Sequence, residues 1–151
     1  MMRSRKVAAA MMLASVALTS AAAELGGGRH GLEADRAHLA ATMASTTVAT
    51  HQLHTLTLAN GDVVREFATA DGTVFAVAWD GPARPDLRQL LGPAFDILQA
   101  DVSASRRRPR QALTMVHDDV VIRSAGHPGA FHGYAFLPHL VPPGFVADAL
   151  E

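Results

Sequence analysis

Two dipeptides, Asn60-Gly61 and Asp71-Gly72, constrain the fold of this chain more than any other feature of its sequence. Asn-Gly and Asp-Gly are typical of two-residue β-hairpin loops, because both central residues of a type I′ turn need a positive φ angle. The two dipeptides separate three runs of similar length between residues 51 and 79, rich in β-branched and apolar residues. The sequence therefore predicts a three-stranded antiparallel meander over about residues 51–79.

If both loops contain two residues, the register of the meander follows. Leu56 then faces Arg65 and His54 faces Phe67 across the first turn, and Val64 faces Trp79 across the second. One predicted face consists of Leu53, Val64, Ala68, Phe75, Val77 and Trp79, and the other of Leu56, Leu58, Val63, Phe67, Val74, Ala76 and Ala78. The third strand is apolar on both faces, which is typical of a central strand covered above and below.

A helix over about residues 85–99 follows the meander. Pro85-Asp86 is a favourable helix start, and Gly92-Pro93 predicts either a kink or two helical pieces that share one buried face. Residues 112–137 read as a hairpin around Asp118-Asp119 and one further strand. The fold class is therefore α+β, an antiparallel sheet with the helix packed on it. The predicted core residues are Phe75, Val77, Trp79, Leu87, Leu90, Leu91 and Phe95.

The first 23 residues have the pattern of a bacterial export signal. Arg3, Arg5 and Lys6 precede an apolar run over 7–18, and a small-residue motif ends at Ala23. We expect cleavage after Ala23, a periplasmic or secreted protein, and no transmembrane span after cleavage, since the apolar run is shorter than the roughly 20 residues of a spanning helix. Residues 24–31 are expected to form a flexible glycine-rich lead-in, with a single domain over 32–151 that begins with a short helix over 32–44.

Charge and cysteine content exclude several functional classes. The first 23 residues hold three of the 13 basic residues and none of the 14 acidic ones, so the remainder carries ten against 14, a formal net charge of −4. Nucleic-acid binding, which needs a basic surface, is therefore not expected. The chain contains no cysteine, so thiol catalysis, iron–sulfur clusters and disulfides are excluded. No cofactor is indicated.

The eight histidines are the candidates for chemistry near neutral pH. Their spacing matches no known metal or catalytic motif, so no catalytic residue is assigned. His117, Asp119, His127 and His132 are the candidate metal ligands. Arg106, Arg107, Arg108 and Arg110 form the densest charge cluster, and they are candidates for contact with an anionic surface component.

Three functions remain open from the residues alone. The first is a non-enzymatic exported envelope or secreted protein that binds a partner, either another envelope protein or an anionic surface component. The second is a histidine-based metal-binding protein, and the third is a hydrolase that uses histidine and aspartate.

Two segments resemble a known family. These are residues 73–95, which contain the block Trp79-Asp80-Gly81 to Leu90-Leu91-Gly92, and residues 130–145. Both are similar to an uncharacterised family of short exported proteobacterial proteins, domain of unknown function 2844. The resemblance implies export and a bacterial source, and it supplies no activity, cofactor or catalytic residue.

Overall fold

The computed structural model describes residues 24–104, 112–117 and 119–151, which form a seven-stranded antiparallel sheet with helices on one face. The α+β class expected from the sequence is confirmed. The helices are α1 (Arg29–His38), α2 (Leu87–Leu91) and α3 (Pro93–Ala104). The strands are β1 (Thr42–Val48), β2 (His51–Thr57), β3 (Val63–Ala68), β4 (Val74–Gly81), β5 (Leu113–His117), β6 (Val120–His127) and β7 (Ala130–Phe136). Two short 3-10 helices, Pro138–Leu140 and Ala147–Leu150, follow β7.

The strand order is β1-β2-β3-β4-β7-β6-β5, so the sheet consists of two meanders that meet at its centre. The first meander ends at β4, the chain then forms α2 and α3, and it returns to the far edge of the sheet at β5. Every neighbouring pair is antiparallel. Strand β4 is therefore central, and its first six residues are all buried.

Each face of β4 contributes to its own core. On the first face, Val64, Val77 and Trp79 pack with Leu32 of α1 and the apolar residues of α2 and α3. On the second face, a separate cluster joins the sheet to the C-terminal segment, residues 138–151, through buried and half-buried apolar side chains. Its main members are Phe67, Phe75, Ala76, Ala78, Phe145 and Leu150. No helix in the described part of the chain is long and apolar enough to cross a membrane.

The first turn of the meander differs from the expected one. The Leu58 N–H donates to the Asp62 carbonyl at 2.9 Å, so the loop has three residues, and Gly61 has φ +91°. A three-residue loop that ends in a left-handed glycine is the next most common hairpin connection. The extra residue shifts the register by one, so Leu56 lies opposite Val64 and His54 opposite Glu66. The predicted pairs Leu56–Arg65 and His54–Phe67 are wrong.

The second turn also has three residues, with the Thr69 N–H donating to the Thr73 carbonyl. A β-bulge on β4 next to this turn restores the predicted pairs Val64–Trp79 and Glu66–Val77. The bulge also turns Phe75 to the second face, because Ala68 lies opposite Val74 and not opposite Phe75. Together the two turns exchange five predicted positions between the faces: Leu53, Leu56, Leu58, Phe75 and Val74.

The N-terminal elements also differ from expectation. The helix expected over 32–44 lies at Arg29–His38, and the polar run after it forms an edge strand, β1, that was not predicted. The expected flexible lead-in is fixed in place, because the Leu25 N–H donates to the Leu90 carbonyl and Gly26 and Gly27 bond with Val74. Leu25 is buried in the first core.

The helical stretch expected over 85–99 consists of two pieces, α2 and α3, which meet at Gly92, as one of the two alternatives for Gly92-Pro93 predicted. The φ of +52° at Gly92 and the close approach of Glu24 both require glycine there. Leu87, Leu90 and Leu91 are buried, and Phe95 is half-buried under the Arg88 guanidinium. Trp79 is buried against the neighbouring Gly133, where an added Cβ would lie 2.5 Å from the indole ring.

Candidate functional site: a two-arginine cleft on the second face

Arg65, Tyr134 and Arg123 lie in one row across the second face of the sheet. Arg65 is paired with Ala78, Ala78 with Tyr134, and Tyr134 with Arg123. Directly opposed residues of antiparallel strands project from the same face. With neighbouring strands about 4.8 Å apart, the two arginine Cα atoms are separated by about 14 Å.

A cleft of about 650 Å³ covers this row. Its volume falls within the range of small-molecule sites, about 300–1,000 Å³. Val63 and Leu150 contribute apolar surface to the cleft. The polar side chains that line it are Arg65, Asp80, Arg123, His132, Tyr134 and Glu151.

The C-terminal segment reaches into the cleft and binds both arginines. The Arg65 guanidinium donates to the backbone oxygens of Ala149, Leu150 and Glu151 at 3.0–3.1 Å. The Arg123 guanidinium donates to the Glu151 carboxylate at 2.8 Å, and both side chains of that pair are about half exposed. Each arginine can therefore hold an acceptor inside the cleft, and for Arg123 that acceptor is an exposed carboxylate.

A second polar group lies on the first face and extends from the exposed Ser45 at the sheet edge to the buried His54 and Glu66. Ser45, His54 and Glu66 face one another across β1, β2 and β3. The Ser45 hydroxyl and His54 Nδ1 are 2.8 Å apart, and no described donor or acceptor contacts His54 Nε2. Glu66 is fully buried, and its hydrogen-bonding neighbour is the equally buried carboxyl of Asp35.

Burial dominates the electrostatics of this group. Desolvation raises the pKa of Glu66 to about 9, and the charge and hydrogen bond of Asp35 contribute to that rise. Glu66 is therefore protonated at neutral pH. Gln89 donates to the Asp35 carboxylate at 2.6 Å, which satisfies that oxygen. Desolvation lowers the pKa of His54, and the positive charge of Arg29 lowers it further.

The Ser45–His54 contact is the described arrangement most similar to a hydrolase. Ser45 is exposed on an edge strand, whereas the cleft lies on the opposite face of the sheet. A molecule bound in the cleft therefore does not reach this pair. The contact is better explained as a structural hydrogen bond of the buried His54, since buried polar side chains are expected to be hydrogen-bonded.

The structure does not bring the candidate metal ligands together. His117 is paired with Val120 at one end of β6, and His127 lies at the other end, about 23 Å away along the strand. His132 lines the cleft, and Asp119 is exposed beside His117. Among residues 24–104, 112–117 and 119–151, no three histidines or carboxylates could share a metal ion. The candidates Arg106, Arg107, Arg108 and Arg110 lie outside the described residues.

The sequence indicated no binding role for the residues that line the cleft, except for His132 as a candidate metal ligand, and Trp79 was expected as a core residue. Arg65, Arg123 and Tyr134 are far apart along the chain and belong to no motif. Alternation along β3 places Arg65 on the face opposite Val64 and Glu66, so the face on which Arg65 lies could be predicted from the sequence. The pair Arg65–Ala78 follows from the predicted register, but the nearness of Tyr134 and Arg123 could not be inferred, because it depends on the pairing of β4 with β7.

The chain matches a family model described as protein of unknown function (DUF2844) over residues 21–150. This chain belongs to that family. Comparisons with curated proteins and with solved structures found no match. DUF2844 membership confirms the resemblance of the block around Trp79 to that family. The family description assigns no function, so function must be inferred from the geometry of the cleft.

Proposed function

We propose that this protein is an exported binding protein of the bacterial envelope, and that the cleft binds an anionic surface component. The paired arginines of the cleft, one of them already bound to a carboxylate, are the observation that carries this proposal. The protein acts by binding and not by catalysis.

The chemistry of the row fits an extended anionic ligand. A guanidinium binds a carboxylate or a phosphate through two parallel N–H donors, with greater strength than a neutral hydrogen bond. Tyr134, between Arg65 and Arg123, offers an aromatic face and a hydroxyl, as in sites that bind sugars or other amphipathic groups. The Glu151 carboxylate occupies the place that the acidic group of a ligand would take on Arg123.

The location is supported by the sequence. Residues 1–23 have the n-region, apolar run and small-residue end of an export signal, and the absence of cysteine suits any compartment. Arg106, Arg107, Arg108 and Arg110 are a proposed second contact for the same anionic surface. The metal-binding and hydrolase alternatives lack comparable support in the described part of the chain.

The test is a calorimetric titration at low ionic strength with a galacturonic acid trimer, and with a galactose trimer as the neutral probe. We expect the wild type to bind only the acidic trimer. Arg123→Gln should weaken this binding about tenfold or more, because a charge-assisted hydrogen bond contributes about 1.5–3 kcal/mol. Glu151→Gln should strengthen it, since the internal competitor is then neutral.

Arg36→Gln is the matched control. Arg36 is an exposed arginine in an ion pair, as Arg123 is, but it lies on α1 on the other face of the sheet. Its replacement should leave binding unchanged. Failure of the wild type to bind the acidic trimer, or equal binding by wild type and Arg123→Gln, would remove the cleft as the site.

A further inference from the structure

Strand β1 is an edge strand without the features that protect sheet edges. It ends the strand order, and no other described strand pairs with its outer side. Residues Thr42–Val48 include no charged residue and no proline, and their pairing with β2 is continuous, without a bulge. Natural edges are usually blocked by charges, prolines, bulges or short length. A regular seven-residue edge with none of these is open to another strand.

The side chains of β1 match a reversed copy of themselves. When two copies pair antiparallel about Ser45, Thr42 lies opposite Val48 and Ala44 opposite Thr46. Met43 lies opposite Thr47, and Ser45 opposite Ser45. Every pair joins small, β-branched or flexible uncharged side chains, and β-branched pairs stabilise sheets. All seven residues take part, which gives about six to eight backbone hydrogen bonds.

We propose that the protein forms a symmetric homodimer through antiparallel pairing of β1 with β1 of a second copy, which joins the two seven-stranded sheets into one. A two-fold axis through Ser45 satisfies the requirement that both copies use the same surface. The partner is a second copy because the strand is complementary to its own reverse and bears no charge that would repel it. The proposal is independent of the cleft, since β1 and the cleft share no residue.

The opposite edge provides the contrast. Strand β5 has five residues, and pairing with a reversed copy about Met115 places the buried Leu113 opposite the exposed His117. A second copy that pairs through β5 gains fewer hydrogen bonds than one that pairs through β1. We therefore assign the dimer to the β1 edge.

Sedimentation velocity across micromolar to millimolar concentrations tests the proposal, on the wild type and on variants with charged residues introduced at Ala44 and Thr46. Both residues are exposed and project from the same face, and in the dimer each lies opposite the other. The double substitution Ala44→Lys, Thr46→Lys places like charges opposite each other twice and should raise the dimer dissociation constant about tenfold or more. The double substitution Ala44→Glu, Thr46→Lys places opposite charges together and should restore the dimer.

The second variant also tests the direction of pairing, because in a parallel dimer Ala44 would lie opposite Ala44 and the glutamates would still repel. Thr114→Lys with Val116→Lys is the matched control, since it adds the same charge at two exposed positions, again two residues apart, on the β5 edge. This control should leave the dimer intact.

A wild type that remains monomeric over the whole concentration range overturns the proposal. So does a dimer that resists the lysine pair on β1, or one that the glutamate–lysine pair fails to restore. Circular dichroism of each variant checks the fold, and if the lysine pair is misfolded, the glutamate–lysine pair alone decides.

Discussion

At the scale of single residues, the most unusual choice is a glutamate in the middle of the first core. Glu66 lies on β3 between Val64 and Ala68, fully buried, and its neighbour in space is another buried acid, Asp35. Burial raises the pKa of Glu66 to about 9, with a further contribution from Asp35, so Glu66 retains its proton at neutral pH. Glu66 is therefore neutral at physiological pH, and its deprotonation would place a charge in the core.

This arrangement predicts that stability decreases as the pH rises. The unfolded chain releases the Glu66 proton near pH 4.5, whereas the folded protein holds it to about pH 9. Between these values the folded state binds more protons, so the free energy of unfolding decreases with pH by at most about 1.4 kcal/mol per unit. The contribution of the Glu66 proton to the free energy of unfolding is fully present below about pH 4.5 and is lost as the pH rises to about 9. Urea denaturation at a series of pH values measures this slope.

Glu66→Gln removes the titration and keeps the size and a donor. We expect the variant to be less dependent on pH over this window and more stable than the wild type at its upper end. Glu33→Gln, an exposed glutamate on α1, is the control and should retain the wild-type slope. Parallel slopes for wild type and Glu66→Gln would contradict a buried proton.

At the scale of elements, the sequence predicted the existence of strands better than their register. Asn60-Gly61 and Asp71-Gly72 mark both turns correctly, but a two-residue and a three-residue loop can contain the same dipeptide. The choice between them shifts every pair by one residue. At the second turn the bulge cancels the shift, which is why the pair Val64–Trp79 was correct. Local residue types do not determine whether a bulge compensates, because that depends on packing of the whole sheet.

The missed strand β1 has a similar cause. Thr42–Val48 is polar and mostly exposed, so it shows no alternation of apolar and polar residues. Its pairing with β2 depends on tertiary structure, because the position of α1 places the start of β1 beside β2. The row from Ser45 through His54 to Glu66 could not be predicted for this reason, because the contact of Ser45 with His54 depends on the pairing of β1 with β2.

The start of α2 offers a test at this scale. The Asp86 carboxylate accepts from the Gln89 N–H at 3.2 Å as an N-cap, and it lies 3.0 Å from His38 of α1. The hydrogen bond from His38 is the main cause that lowers the pKa of Asp86. Asp86→Ala should reduce the free energy of unfolding by about 1 kcal/mol, a typical value for the loss of a cap. Urea denaturation near pH 6 measures it.

Asp86→Asn separates the two roles, since asparagine caps a helix well but carries no charge. We expect a smaller loss than for alanine, and a remainder that disappears when His38→Ala is combined with it. Because the pKa of Asp86 is lowered, any contribution of its charge is present at neutral pH and lost as the pH falls through that lowered value. Equal losses for alanine and asparagine would mean that the cap contributes nothing.

At the scale of the whole molecule, one sheet supports two cores of different kinds. The helices cover the first face with regular structure, whereas the second face is covered by the irregular C-terminal segment. Phe145 holds that segment by packing edge-on against Phe75, with ring centroids 4.9 Å apart. Its far end depends on the three hydrogen bonds from Arg65. The cleft lies where this cover ends, so binding at the arginines and order of the segment are linked.

This linkage predicts a local effect of Arg65→Met. Methionine keeps the apolar stem of the side chain and loses the three donors, so residues 147–151 should detach while the aromatic contacts of Phe145 persist. Hydrogen exchange measured by mass spectrometry should show faster exchange at the amides of Ala149 and Glu151, which bond to backbone carbonyls within the second 3-10 helix and its end. Strands β3 and β4 should keep their protection, because their ladder does not involve the guanidinium.

Arg84→Met, an exposed arginine stacked on Phe131, is the control and should leave residues 147–151 unchanged. Unaltered exchange at residues 147–151 in Arg65→Met would show that apolar packing alone holds the segment, and that the arginine is free to bind a ligand without releasing it.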